Sequence, residues 1–589
     1  MPRRLEREQT HENAACHAAA TGAQDARRPF VPWLILGLHV LFWFAVYSLF
    51  FCRCLNDDVV LAQFVNGGFA GTDLHIPFNN TLYAAMIRAL YRLLGTEISW
   101  YVLFQYAALC LSYTALCSEF IERDGSARGI LIDVLLTVAF LFNSILDTSF
   151  TLTAGVTACA GFFLLLRAAE DLAAGGFTKR LIGRLILGAF LSAVGFLLRW
   201  TMALPCFVLT AVSSLPFLLS RIGSKKGRVE LLRFFVPVVM LALLLGGCYL
   251  VDRQAWREDG YAEWERFNTS RAKIMDYYDD ETRAKLSREK ESAGGEADML
   301  ELAISDPEVY TADSLAQIAL SLKAIKGSAG YGQSVGILVR HVGGALMHTP
   351  YFMALVFLLA AWCLAPKTRE EWLTGALWLA AFLLMYLRLI RQGRYGLQRV
   401  DLGLALSGFL VFAQSLAGKR PRREKVIAAL LCVGVLLSLH LDHPGVRLHS
   451  SVAINGSEAA KKLEERCELM CADEAHVYLD AQMLFFSAQF YPLEGVAPGT
   501  YEKIIPLLGW GAQHPIQRAA LEKHGLDNPF RDSVGREDVC WICEGGDIER
   551  VLSYIQKHYS PAAYVQPEEA MSEKTGLKIY YIKDGDSHD

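Results

Sequence analysis

The chain has 589 residues, too many for a single ordinary soluble domain. Apolar residues make up 53% and charged ones 20%, with a mean hydropathy of +0.27, so some segments must be almost purely apolar and a wholly soluble chain is excluded. The formal net charge of -4 decides little, because a membrane protein sorts charge by side, and no nucleic-acid partner is expected.

In chain order, a basic tail over 1–29 (Arg3, Arg4, Arg7, Arg27, Arg28) precedes the first apolar run. Runs long enough for a helix to cross the hydrocarbon core fall at roughly 30–51, 99–121, 129–146, 148–169, 182–199, 200–220, 232–251, 346–365, 372–390, 400–418 and 426–441. The first lacks a small-residue cleavage site and reads as a retained anchor. Arg221, Lys225, Lys226 and Arg228, then Lys419, Arg420, Arg422, Arg423 and Lys425, sit in short connectors that the positive-inside rule assigns to the cytoplasm with the tail. The long loops 52–98 and 252–345 and the segment 442–589 then share the outer face.

The first outer loop opens with Leu55-Asn56-Asp57-Asp58. Paired carboxylates at a membrane interface need solvation or a partner. Asn56 or Asp57 capping a short helix over 58–66 is one reading, and a catalytic base held at the bilayer surface is the other. Leu82, Met86, Leu90 and Leu93 recur at helical spacing and predict an amphipathic interfacial helix. Asp73 and His75 lie between the two, as turn or structural residues or as lining of the same cavity.

In the second loop Trp256, Trp264, Phe267 and Tyr278 alternate with Arg257, Arg266 and Arg271. Aromatics beside arginines suit an interfacial belt and equally a sugar and phosphate site. Residues 281–300 are highly charged and expected to be mobile, as active-site gates often are. Arg388, Arg391, Arg394 and Arg399 crowd a short outer connector against the positive-inside trend. Lipid headgroups can balance them, as can the phosphate of a lipid-linked substrate held by bidentate contacts, and Arg199 is placed to join them. Asp401 is expected to pair with Arg399.

From about 446 the pattern turns mixed α/β: a helix over 457–472, strands near 475–478, 562–565 and 578–582, and a helix over 547–559. Most of the fourteen cysteines sit singly in apolar runs, but Cys467, Cys471, Cys540 and Cys543 belong to this segment, where a disulfide is plausible and a zinc site lacks a second well-spaced pair. No P-loop, G-x-S-x-G, H-E-x-x-H or nucleotide fingerprint is present.

The acidic pair Asp57–Asp58 after the first helix, the amphipathic helices behind it, the long loop after helix seven, the late outer arginines and the outer C-terminal domain together resemble the GT-C type membrane glycosyltransferases. The resemblance covers 30–441 as architecture; the C-terminal domain matches no known carbohydrate-binding module. It implies an α-helical polytopic membrane protein with an extracytoplasmic α/β domain, and sugar transfer, with inversion, from a polyprenyl-phosphate donor to a glycan or lipid-linked acceptor. Asp57 or Asp58 would then be the base. Arg391, Arg394 and Arg399 would meet the phosphate, with Asp73, His75, Arg199, Arg257, Arg271 and Arg388 as further binding residues. No cofactor is required, although the carboxylates allow a divalent cation. A polysaccharide polymerase or ligase, a lipid-linked glycan transporter and a non-catalytic assembly factor are the alternatives.

Overall fold

The computed structural model describes residues 30–585, apart from 51, 55–56, 70, 259, 276–298, 300–301, 303, 327–330, 393, 418–422, 442–450, 483 and 485–492. Asn56, Tyr278 and nearly all of the charged stretch 281–300 therefore lie outside the described residues.

Every expected apolar run forms helix. In order these are α1 (Val31–Leu49), α2 (Asp58–Asn66) and α3 (Thr81–Leu94) from the first loop, α4 (Trp100–Arg123), α5 (Ala127–Leu146), α6 (Phe150–Ala173), α7 (Lys179–Arg221) and α8 (Lys225–Ala255). After them come α9 (Tyr261–Met275), α10 (Ala312–Lys326) and α11 (Tyr331–His348) from the second loop, α12 (Pro350–Leu364), α13 (Arg369–Arg391), α14 (Gln398–Leu416) and α15 (Glu424–His440). Eight helices among the described residues are long and apolar enough to cross a membrane, or nine when the bent pair around 332–364 is taken as one span. The expected eleven differ from this in three ways. The runs 182–199 and 200–220 are two arms of α7, α12 follows a 92° bend, and α15 has only 17 residues. The protein is a multi-pass membrane protein.

The break in α7 is at Arg199, whose backbone is extended (φ -162°, ψ 93°). A helix interrupted there leaves carbonyls without intrahelical donors. The first loop supplies them: the backbone N–H of Asn80 donates to Leu197 at 2.8 Å, and the Asn79 amide donates to Leu198 at 2.7 Å. Asn80 also caps α3 through Leu82 N–H at 2.9 Å. On α3, Tyr83, Ala84, Ile87 and Tyr91 pack inward, while Leu82, Leu93 and Leu94 are exposed, as an interfacial helix requires.

The C-terminal segment forms α16 (Ser451–Ala472), β3 (Val477–Asp480), β4 (Ile504–Pro506), α17 (Pro515–Lys523), β5 (Val539–Ile542), α18 (Gly545–His558), β6 (Ala563–Pro567), α19 (Glu569–Thr575) and β7 (Ile579–Asp584). Its sheet has the order β4-β3-β5-β7-β6, with β4, β3 and β5 parallel and β7 antiparallel to both its neighbours. Cys467, Cys471, Cys540 and Cys543 are all free thiols, so the expected disulfide is absent. Strand side chains alternate in direction, which sends Cys540 and Cys543 to opposite faces: Cys540 packs with Ile542, and Cys543 with Val539 and Trp541.

The second loop packs into this domain. Trp256, Trp264, Phe267 and Ile274 share a core with Val477, Leu479, Trp541 and Tyr554, so these aromatics form neither a lipid belt nor an open sugar platform. The domain is also stitched to the first loop: Gly499 N–H donates to Gly67 at 2.8 Å, Tyr501 N–H to Gly68 at 2.7 Å, and Gly495 N–H to Glu97 at 3.1 Å. A Cβ on Gly495 would lie 1.8 Å from the Thr96 carbonyl, so only glycine allows this approach. Both long loops and the C-terminal domain are thus gathered at one end of the bundle.

Candidate active site

Two chain entries meet where the domain covers the bundle. Residues Arg53–Cys54 (β1) pair in parallel with Asp147–Thr148 (β2), which fixes the acidic pair beside the start of α6. Asp58 is fully buried: its Oδ1 accepts from Gln105 Nε2 and from the Phe150 backbone N–H, both at 2.9 Å. The second of these is one of the orphan donors at the first turn of α6, so Asp58 caps that helix from another element. Gln105 is held in turn by the Thr153 hydroxyl at 3.2 Å. Asp58 Oδ2 is buried and takes no hydrogen bond among the described residues. Burial pushes the Asp58 carboxyl up to about 7, with Asp57 adding to the rise and Gln105, the Phe150 N–H and the nearby Arg399 opposing it.

Asp57 occupies the N-cap position of α2, yet its side chain does not cap the helix. Its Oδ1 instead accepts from the indole N–H of Trp510 at 2.8 Å. Trp510 comes from the C-terminal domain, on the short turn Gly509–Gly511, and is 4% exposed. Asp57 itself is half-buried.

Arg199 belongs to the break in α7. Its guanidinium stands over the rings of Phe78 (5.3 Å) and Phe150 (5.1 Å) and donates to the Thr151 hydroxyl. Phe78 stacks on Phe150 at 5.9 Å, meets Trp510 edge-on at 5.9 Å, and has φ +71°, a left-handed backbone that a bulky residue rarely adopts. Gln398, beside Arg399, donates to Asp147 at 3.4 Å and ties the arginine connector to β2.

Asp58 is thus linked to Arg399 electrostatically and to Arg199 through Phe150, whose N–H it accepts and whose ring lies under the guanidinium. Arg394 is half-buried on the same connector, while Arg388 and Arg391 are exposed. Asp401 takes a hydrogen bond from Tyr386 and lies 3.4 Å from His341, in place of the expected pairing with Arg399.

Asp73 and His75 belong to a neighbouring cluster. Asp73 accepts from His75 Nδ1 at 3.0 Å and from the Tyr261 hydroxyl at 2.8 Å, and His75 stacks on Tyr261 at 3.7 Å. The His75 carbonyl accepts from His514 Nε2 at 3.0 Å. Burial alone would raise Asp73, but the hydrogen bonds from His75 and Tyr261 hold it at about 2. The pair thus joins the first loop, the second loop and the C-terminal domain. Arg257 is exposed on the second loop, and Arg271 is buried on α9 beside Asn268 at 3.0 Å.

A small cavity of about 20 Å³ between α2 and the C-terminal domain, lined by Val60, Phe64, Phe69, Tyr501 and Ile516 among others, is mostly apolar, and neither Asp57 nor Asp58 lines it. Among the described residues no group of three or more His, Cys, Asp or Glu side chains is placed to hold a metal ion.

Fold and site together define a multi-pass membrane protein with a buried carboxylate–arginine site roofed by an α/β domain. No family model matches the chain, and no curated protein does. Among solved structures it is similar to the crystal structure of ArnT from Cupriavidus metallidurans in the apo state, over 96% of this chain and 98% of that one, at 12% identity and a TM-score of 0.38. An overlap that loose says nothing of chemistry, and the functional reading rests on this chain's own residues.

Proposed function

We propose that the protein is a GT-C type membrane glycosyltransferase, moving a sugar from a polyprenyl-phosphate donor to a glycan or lipid-linked acceptor at the outer face of the cell membrane. What supports this reading is the acidic pair lying where the C-terminal domain covers the bundle, with Arg399 near enough to act on Asp58 and Arg199 stacked on Phe150, whose backbone N–H Asp58 accepts.

Asp57 is the acceptor's base. It is half-buried and reachable, whereas Asp58 is sealed and takes up a proton near neutral pH. The acceptor oxygen bonds to the anomeric carbon as the bond from that carbon to the phosphate oxygen breaks, with inversion. The acceptor proton passes to Asp57, and the electron pair leaves on the lipid phosphate. Arg199 and Arg399 are cations fixed in advance where that charge develops, so no metal is required by the reading. A positioned base typically contributes on the order of 10²- to 10⁴-fold in rate.

The test is turnover of a lipid-linked sugar donor by the purified protein. Wild type should release lipid phosphate and glycosylate the acceptor, and Asp57→Asn should lose most of that rate. Full activity in Asp57→Asn would remove the assignment.

A further inference from the structure

The base proposed above is held by a side chain from the other end of the sequence. We propose that Trp510 is a positioning residue for Asp57, so that the docked C-terminal domain completes the site; this rests on the reading of Asp57 as the base. The indole N–H donates to Asp57 Oδ1 at 2.8 Å, a hydrogen bond to an ionisable group. Among the described residues Asp57 Oδ2 takes no hydrogen bond, which leaves that oxygen to the acceptor hydroxyl.

Two phenylalanines pack against the indole and limit its direction. Phe64 meets the ring edge-on at 5.5 Å and Phe78 at 5.9 Å, and Phe78 in turn carries Arg199. The Trp510 turn is anchored at its far side by Trp264, whose N–H donates to the Ala512 carbonyl at 3.1 Å. Gly509, with φ +66°, supplies the left-handed residue that the turn needs. With 4% of its surface exposed, Trp510 has little area to offer a sugar, so its contribution is to aim Asp57.

Replacing Trp510 by Phe keeps a ring in the slot and removes the donor. Losing a hydrogen bond to a charged group corresponds to about a tenfold loss or more. The full-length Trp510→Phe variant should lose at least that in kcat, with acceptor KM within about twofold of wild type and a cooperative thermal unfolding transition retained above the assay temperature. Wild-type kcat in Trp510→Phe beside an inactive Asp57→Asn would overturn the positioning role and leave the transfer reading standing. Wild-type kcat in Asp57→Asn would overturn the transfer reading, and the positioning role with it. A spectroscopic readout needs no donor substrate. In full-length protein labelled with 5-fluorotryptophan, the Trp510 resonance, assigned by its absence in Trp510→Phe or Trp510→Tyr, should move on Asp57→Asn. A resonance indifferent to that substitution would contradict the contact.

Discussion

Asp57 and Asp58 are adjacent in sequence and opposite in environment. Asp58 faces the N-terminus of α6 and Gln105 and is shut from solvent, while Asp57 looks toward the covering domain. Burial raises this carboxyl to about 7, which disfavours its charged form, and its Oδ2 takes no hydrogen bond among the described residues. Because the folded value lies above the ordinary carboxylate value, the associated stability is complete below about pH 4 and is lost as pH rises through about 7. Asp58→Asn keeps an oxygen to accept from Gln105 and Phe150 and cannot ionise. The melting temperature of wild type should therefore fall relative to Asp58→Asn between pH 5 and 8, and a constant difference across that range would contradict it. The acidic pair was legible in the sequence as a motif. The division of roles was not, because it depends on Gln105, Phe150 and Trp510, all distant in the chain.

At the level of elements, the broken helix α7 organises the site. Two apolar runs meeting at Arg199 read naturally as two spans, and the break is indeed there. What the sequence could not reveal is how the exposed carbonyls are satisfied. In the sequence nothing marks Asn79 as the partner of the Leu198 carbonyl. Asn79→Ala leaves that buried carbonyl without its donor, at a cost of about 1–3 kcal/mol. The same variant lets the Arg199 turn shift, so thermal unfolding should drop and donor turnover should fall with it. Loss of stability with unchanged turnover would show that Arg199 does not depend on this brace. The C-x-x-C pattern shows the converse. Its spacing suggests a paired function, but a strand turns the two thiols to opposite faces.

The whole molecule is a bundle closed at one end by its own soluble domain. The apolar runs made the bundle legible, and the mixed pattern after 446 showed β3, β6, β7, α16 and α18 but not β4, α17 or α19. The docking was not legible, since it runs through backbone bonds such as Gly499 to Gly67 that no side-chain pattern marks. It also runs through His514, where Nε2 donates to the His75 carbonyl and Nδ1 accepts from Ile516 N–H, a neutral tautomer set by both partners. Burial holds His514 down at about 4, with Asp73 opposing the shift. Its contribution is thus present above about pH 6.5 and lost as pH falls toward 4, whereas His75, raised by Asp73 against its own burial, acts in the opposite sense. His514→Gln can keep both bonds without titrating. Wild type should become more susceptible than His514→Gln to limited proteolysis of the C-terminal domain as pH drops from 6.5 to 4. Identical profiles would contradict the docking role of the neutral imidazole.

The central claim is that this closed end transfers sugar from a lipid phosphate with Asp57 as base. The most direct measurement is single-turnover release of lipid phosphate from a polyprenyl-phosphate sugar by wild type and Asp57→Asn in proteoliposomes. The account predicts acceptor-dependent release by wild type and a rate lower by on the order of 10²-fold or more in Asp57→Asn, with donor binding retained. Equal rates in the two proteins would contradict it.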